Sequence, residues 1–281
     1  MGNSGLLHQR EADISASCRI KIYPDGGLEV MASERPVFRP VSGWESEEKR
    51  VLFSAEGTPE DLERSRRRAV ARITDYARCT PFEWFVTLTL DGAKINRYDY
   101  AEVVKKLGVY CSNRVQRQGL RYLLVAEPHQ DGALHFHGFF GGLPERDFIP
   151  SGTYVGGPIK KKPRRPRSAA EAARWVECGA HEVYNLRSWR YGFTTAVRLD
   201  ENYDAAITYV CKYIRKAPEK TGGRWYLSGG DLKLPTVEYQ NLTLNEVSNF
   251  PDSYLFSVPG NAFAVWRGGA VVFAALVGAL A

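Results

Sequence analysis

No Cys-x-x-Cys pair occurs in this chain, and its five cysteines (Cys18, Cys79, Cys111, Cys178, Cys211) are odd in number. That argues against a disulfide framework or paired-thiolate zinc ribbon and for reduced thiols in a cytosolic protein. Cys178 and His181 have the spacing of half a zinc site, but no second half accompanies them. No apolar run reaches the ~20 residues that a membrane helix needs. The apolar stretch 268–281 is shorter, Arg267 stops it from extending backwards, and either a buried terminal element or a tail fits it. Met1 to Asp13 is mostly polar, which predicts no secretory leader, and Leu6 stands where a myristoylation signal wants Ser or Thr. No stable membrane association is expected. Without a Gly-x-x-x-x-Gly-Lys-Ser/Thr loop, no attached helicase is expected either. Internal repeats are also lacking.

What is present suits a soluble chain with a substantial core. The 281 residues are 44% hydrophobic and 25% charged, enough for one large domain or one domain with appendages. A net charge of +6 leans toward a polyanionic partner. Cys18 to Val30 alternates around Pro24-Asp-Gly-Gly27, predicting a small hairpin. Thr58-Pro-Glu-Asp61 reads as a capped helix start, and the helix runs to about Ala77. Its Arg64, Arg66, Arg67, Arg68 and Arg72 read as a solvated face. Strands are predicted over 84–90 and 120–127, and helices over 100–118, 169–184 and 203–216. Residues 191–198 read as extended, and 150–168 as a mobile basic loop centred on Lys160-Lys-Lys-Pro-Arg-Arg-Pro-Arg167. That loop either tracks phosphates through Lys160, Lys161, Lys162, Arg164, Arg165 and Arg167, or serves import or solvation.

With only five histidines in the chain, two fall in Leu134-His-Phe-His-Gly-Phe-Phe140. Strand alternation sends His135, His137 and Phe139 one way and Leu134, Phe136 and Phe140 the other. Two imidazoles two residues apart can grip a metal ion, though they are also compatible with an ordinary half-exposed strand. A hairpin centred on Asp131 would bring Glu127 opposite His135 on the same face. Trp84, Val86, Leu88 and Leu90 likewise share one face of their strand, leaving Thr87 and Thr89 on the other.

Tyr209-Val-Cys-Lys-Tyr-Ile-Arg-Lys216 repeats Tyr-x-x-Lys twice, with Lys212 following Tyr209 and Lys216 following Tyr213. Each unit offers a phenol nucleophile and a cation to offset charge on a phosphate. The alternative is an aromatic stripe packed in the core.

In order, Thr87-Leu-Thr89, His135-Phe-His137 and Tyr209-x-x-Lys212-Tyr213 resemble motifs I, II and III of the HUH endonucleases. These are replication initiators and relaxases that nick single-stranded DNA through a tyrosine. The chain looks most like the rolling-circle replication-associated proteins of phages and plasmids, the group around filamentous-phage gene II protein. Glu127-Pro-His-Gln-Asp-Gly132, Trp189-Arg-Tyr-Gly-Phe193 and Ser228-Gly-Gly-Asp-Leu-Lys-Leu-Pro235 add to the likeness.

The resemblance implies an α+β fold. A central antiparallel sheet, a ferredoxin/RRM-like palm, carries the histidines, and one of the flanking helices carries the nucleophilic tyrosines. It places the endonuclease domain at 57–235, after an N-terminal extension (1–56) and before a C-terminal tail (236–281). It implies Mg²⁺ or Mn²⁺ held by His135, His137 and Glu127, with His129 a weaker third ligand. Tyr209 and Tyr213 become the nucleophiles, with Lys212 beside them. Microvirus gene A proteins have a comparable tyrosine pair. Thr87 and Thr89 form the site floor, and Lys216 joins the basic loop in holding DNA. The implied partners are single-stranded or hairpin origin DNA and a host helicase and DNA polymerase, in the bacterial cytoplasm. Rival readings are a relaxase or transposase of the same superfamily, or a non-catalytic module that binds single strands.

Overall fold

Burial along residues 84–90 shows how sequence builds the larger sheet. Trp84, Val86, Leu88 and Leu90 are buried, while Phe85, Thr87 and Thr89 stand half-buried on the other face. The computed structural model describes residues 16–37, 58–129, 131–199, 203–258 and 261–280.

In chain order, strands β1 (Ala16–Ile22) and β2 (Gly27–Val37) precede helix α1 (Pro59–Cys79) and β3 (Trp84–Leu90). Helix α2 (Tyr100–Gln118) leads to β4 (Arg121–Pro128) and β5 (Leu134–Gly141). Next come β6 (Phe148–Gly156), β7 (Ile159–Arg164), α3 (Ala169–Glu177), β8 (Ala180–Leu186) and β9 (Gly192–Arg198). Helix α4 (Tyr203–Lys216) is followed by β10 (Leu227–Gly229), β11 (Thr236–Gln240) and α5 (Leu244–Ser248). The last elements are β12 (Tyr254–Val258), β13 (Asn261–Gly269) and α6 (Ala270–Gly278). They fall into two units. Gly57–Lys233 forms one, and the described parts of Met1–Glu56 and Leu234–Ala281 form the other.

The larger unit is built on an eight-stranded sheet in the order β10-β4-β5-β3-β9-β8-β6-β7, with antiparallel pairing throughout. With helices on its faces, this is the expected α+β class and is consistent with an HUH-like fold. One face carries Trp84, Leu88, Phe136 and Phe140, covered by Val103, Leu107 and Cys111 of α2. On the other face, Leu123, Val125 and Phe139 meet Ala69 and Ile73 of α1 and Ile207, Val210, Cys211 and Ile214 of α4. Helix α1 opens on a capping box between Thr58 and Asp61. Its arginines are not all solvated. Arg66 lies 5.2 Å over the Trp225 ring and donates to the Ala217 carbonyl just beyond α4, at 2.8 Å.

Gly138 of β5 leaves no room for a side chain against β4. A Cβ there would come within 1.8 Å of the Leu123 carbonyl oxygen of β4. Only hydrogen fits.

The smaller unit holds a second antiparallel sheet, ordered β11-β1-β2-β13-β12. The expected hairpin is β1–β2, turned at Gly26 with φ 79°. Residues 236–281 are not a tail. Their strands flank that hairpin, because Ala264 and Trp266 pack with Ile20, Val30 and Phe250 in a core the hairpin alone cannot close. Helix α6 sets Phe273, Leu276 and Val277 against this core and leaves Val271 85% exposed. Among the described residues, no helix is long and apolar enough to cross a membrane.

Two further expectations are corrected. Residues 150–168 are not a mobile loop: they hold the β6–β7 hairpin, whose turn uses Gly156 and Gly157 at positive φ. Lys and Pro suit β7 because it is an edge strand, where they discourage pairing with other chains. Residues 169–184 are not one helix. Gly179, at φ 81°, ends α3, and the chain then pairs as β8 with β6.

Gly138→Ala is expected to lower unfolding stability by about 2–3 kcal/mol, as an overpacked core does. Gly108→Ala, in α2 with nothing within 4 Å of the new Cβ, should raise it by about 0.5–1 kcal/mol. Urea unfolding of both variants checks the opposite signs.

Candidate active site

Register sets the site in rows across the sheet. Glu127 lies opposite His135, His135 opposite Thr89, and Thr89 opposite Phe193. In the next row Val125, His137, Thr87 and Thr195 follow one another. Directly opposed residues share a face, so the histidines, threonines and Glu127 all look the same way. The sequence expectation that Glu127 faces His135 across the hairpin is met in backbone register. Its carboxylate, however, contacts the other histidine: His137 Nε2 lies 2.7 Å from Glu127 Oε2.

The threonines fix the rings from behind. Thr87 Oγ1 is 3.0 Å from His137 Nδ1, and Thr89 Oγ1 is 3.3 Å from His135 Nδ1. Burial, then the neighbouring His129 and His137, pulls His135 down to about 4, so its imidazole is neutral at ordinary pH. Burial likewise holds His137 below its usual value, against the opposite pull of Glu127. His129 packs on His135 with ring centroids 3.8 Å apart.

Helix α4 faces this row because of how it is anchored. Ile207, Val210, Cys211 and Ile214 recur at helical spacing and are buried, and Tyr203 donates to the Ala77 carbonyl at 2.7 Å. The buried stripe is therefore aliphatic, and the tyrosines stand at its edge. Tyr213 stacks on His137 with centroids 4.6 Å apart and planes 6° from parallel. Tyr209 is 42% exposed, lies edge-on to Phe85, and accepts a 2.5 Å hydrogen bond from the Tyr213 hydroxyl. Burial, and then that bond, raises the Tyr213 phenol well above its ordinary value. Lys212 Nζ lies 5.4 Å over the Tyr209 ring.

A cavity of about 830 Å³ gathers Glu127, His129, His135, His137, Tyr209, Lys212, Tyr213 and Lys216. Among the described residues, no group of three or more His, Cys, Asp and Glu side chains is arranged so that it could hold a metal ion. Lys162 and Arg164 on β7, and Arg165 and Arg167 beyond it, are exposed but do not line this cavity. The side chains of Lys160 and Lys161, and Gln130 in the turn before the histidines, lie outside the described residues. Sequence reasoning missed Phe85 as a neighbour of Tyr209, although alternation with Thr87 and Thr89 already set it on this face.

A sheet-borne histidine pair faced by a helix-borne tyrosine pair is thus the centre of the larger unit. The family described as replication-associated protein ORF2/G2P has a model that matches residues 83–218, which span β3 to the end of α4. The match supports a replication initiator family and, with it, a role in DNA replication. No curated protein and no solved structure matches the chain.

Proposed function

We propose that this chain initiates rolling-circle replication by nicking and rejoining single-stranded origin DNA through a 5′-phosphotyrosine intermediate. The observation that carries this is one cavity in which Tyr209 and Tyr213 meet His135, His137 and Glu127 beside Lys212 and Lys216.

The donor types, two imidazoles and a carboxylate, suit a divalent cation once their side chains close on it. Each histidine has its Nδ1 within reach of a threonine hydroxyl. With Nδ1–H donated there, the Nε2 lone pair of His135 is left for a cation, and His137 would offer its own once a cation replaced the proton that its Nε2 shares with Glu127. Glu127 adds a hard carboxylate next to His137, so these three residues would hold Mg²⁺ or Mn²⁺, and His129 is the alternative third donor. When bound, the ion supplies Lewis-acid polarisation of the scissile phosphate.

Tyr209 is the first nucleophile because it is the more open phenol and because Tyr213 donates to its oxygen, stabilising developing phenolate charge. Its Oη–P bond forms as the P–O3′ bond breaks. The phenol loses its proton, and the departing 3′ oxygen takes one up, leaving a 3′-hydroxyl that primes synthesis. Lys212, over the Tyr209 ring, offsets charge on the phosphoryl oxygens. Tyr213, one turn on, attacks the regenerated junction, and the freed 3′-hydroxyl of the displaced strand resolves the first adduct. Thr87 and Thr89 hold the imidazoles in place. Lys216 and the basic run Lys160, Lys161, Lys162, Arg164, Arg165 and Arg167 hold the phosphate backbone. A host helicase and DNA polymerase supply unwinding and synthesis, which sets the work in the bacterial cytoplasm.

On a randomised single-stranded oligonucleotide pool with Mn²⁺, the unsubstituted protein should form a covalent adduct seen on denaturing gels. Tyr209→Phe should reduce it at least a hundredfold, and the double variant with Tyr213→Phe should abolish it. Adduct from the double variant, or undiminished adduct with excess chelator, would overturn the assignment.

Thr87→Val removes the hydroxyl behind His137. It should weaken Mn²⁺ binding about 10- to 100-fold by electron paramagnetic resonance titration. Unchanged affinity would mean that the threonine does not orient a ligand.

A further inference from the structure

Tyr209 stands between two cavities. One is the histidine cavity; the other, of about 600 Å³, lies on its far side and is lined by Phe85, Val155, Val183, Val197 and Ala205 among others. We propose that this second cavity is a nucleobase pocket, taking an unstacked base of the single strand next to the phosphate that Tyr209 attacks. The proposal rests on the nicking reading above and adds to it a site for base recognition.

Its floor is the same sheet face that carries the catalytic rows. Val197 lies opposite Phe85, Thr195 opposite Thr87, and Val155 opposite His181, so the face continues from the histidines across β9 and β8 to β6. Helices α1 and α4 cover this face over β4 and β5. Farther along, Ala205 and Ala206 of α4 are too small to fill the space above Val197 and Val183, and the cavity opens there. Its volume lies within the ~300–1,000 Å³ range of small-ligand pockets.

Chemistry selects the occupant. The walls are mainly aliphatic and aromatic; their polar groups are the Thr87 and Thr195 hydroxyls, the His181 ring, the Tyr209 phenol and the Arg198 guanidinium, which is paired with Glu145 and lies over the Trp84 ring. A flat base with polar edges matches such a lining better than a phosphate, which would meet aliphatic walls and an arginine already paired with Glu145. Phosphates have their own places on either side. Lys212 and Lys216 lie on the α4 side of Tyr209, and Pro163 brings the basic strand β7 to the opposite rim. A strand crossing from β7 to α4 would lay its backbone on charge at both ends and turn one base into the apolar middle. Stacking and burial of a single base contribute on the order of tenfold or more to single-strand affinity.

The test fills the pocket from opposite walls. Ala205→Trp is an exposed change near the start of α4, and Val155→Trp comes from β6. Binding of fluorescein-labelled dA, dC and dT 20-mers and of an abasic 20-mer is followed by anisotropy across a salt series. Both variants should bind at least one base-bearing strand about tenfold more weakly, while the abasic strand and the salt slope stay as in the unsubstituted protein. Unchanged binding of every strand, or a loss shared equally by the abasic strand, overturns the pocket. Circular dichroism melts run in parallel, and the conclusion is drawn from whichever variant keeps its fold, Ala205→Trp first. Adduct formation on the randomised pool is scored separately. Adduct without a base-dependent loss removes the pocket and leaves the nicking reading; a base-dependent loss without adduct does the reverse.

Discussion

A one-residue slip between β4 and β5 would carry Glu127 to the face of Phe136 and Phe140, and the histidines would lose their carboxylate. The site depends on this register more than on any single contact. Three features hold it. Phe136 and Phe140 are fully buried under α2 and cannot be turned to the opposite face without exposing them. The connecting turn is pinned by Asp131, which accepts from Ala133 N at 3.0 Å and pairs with Arg97. At Gly138 the β4 backbone comes so close that only glycine is tolerated.

The second constraint is the division of labour around α4. Its aliphatic stripe packs on Phe139 and α1, which leaves the flanking tyrosines where they meet the histidine row without being swallowed by the core. Tyr213 is both a wall of the site, stacked on His137, and a hydrogen-bond donor to Tyr209. The helix end is tied down by Arg66, which reaches from α1 to the Ala217 carbonyl. The position of the phenols over the sheet is therefore set by packing on three sides.

How much of this the sequence disclosed follows from the range of each interaction. The alternation in 84–90 and 134–140 and the turn at Asp131 are local, so the faces and even the Glu127–His135 register were legible. The α4 helix was legible too, but periodicity alone left open whether its tyrosines were core. Burial of Ile207, Val210, Cys211 and Ile214 decides that. What was not legible depends on distant partners. Basic composition concealed an edge strand in 159–164, because lysine and proline suit loops and sheet edges alike. The pairing of 236–240 and 261–269 with the N-terminal hairpin spans more than two hundred residues, which no local pattern encodes. Side-chain choice was equally hidden: backbone register sets Glu127 opposite His135, yet its carboxylate goes to His137.

The central claim is that the phenols of α4 attack DNA held at the histidine row. Its most direct test is mass spectrometry of the covalent adduct after the DNA is trimmed by nuclease and the protein digested. The account predicts a 5′-linked nucleotide on the peptide bearing Tyr209, with a minor share on Tyr213. A linked nucleotide on a residue outside α4, or no linked peptide from protein that binds the strand, would contradict it.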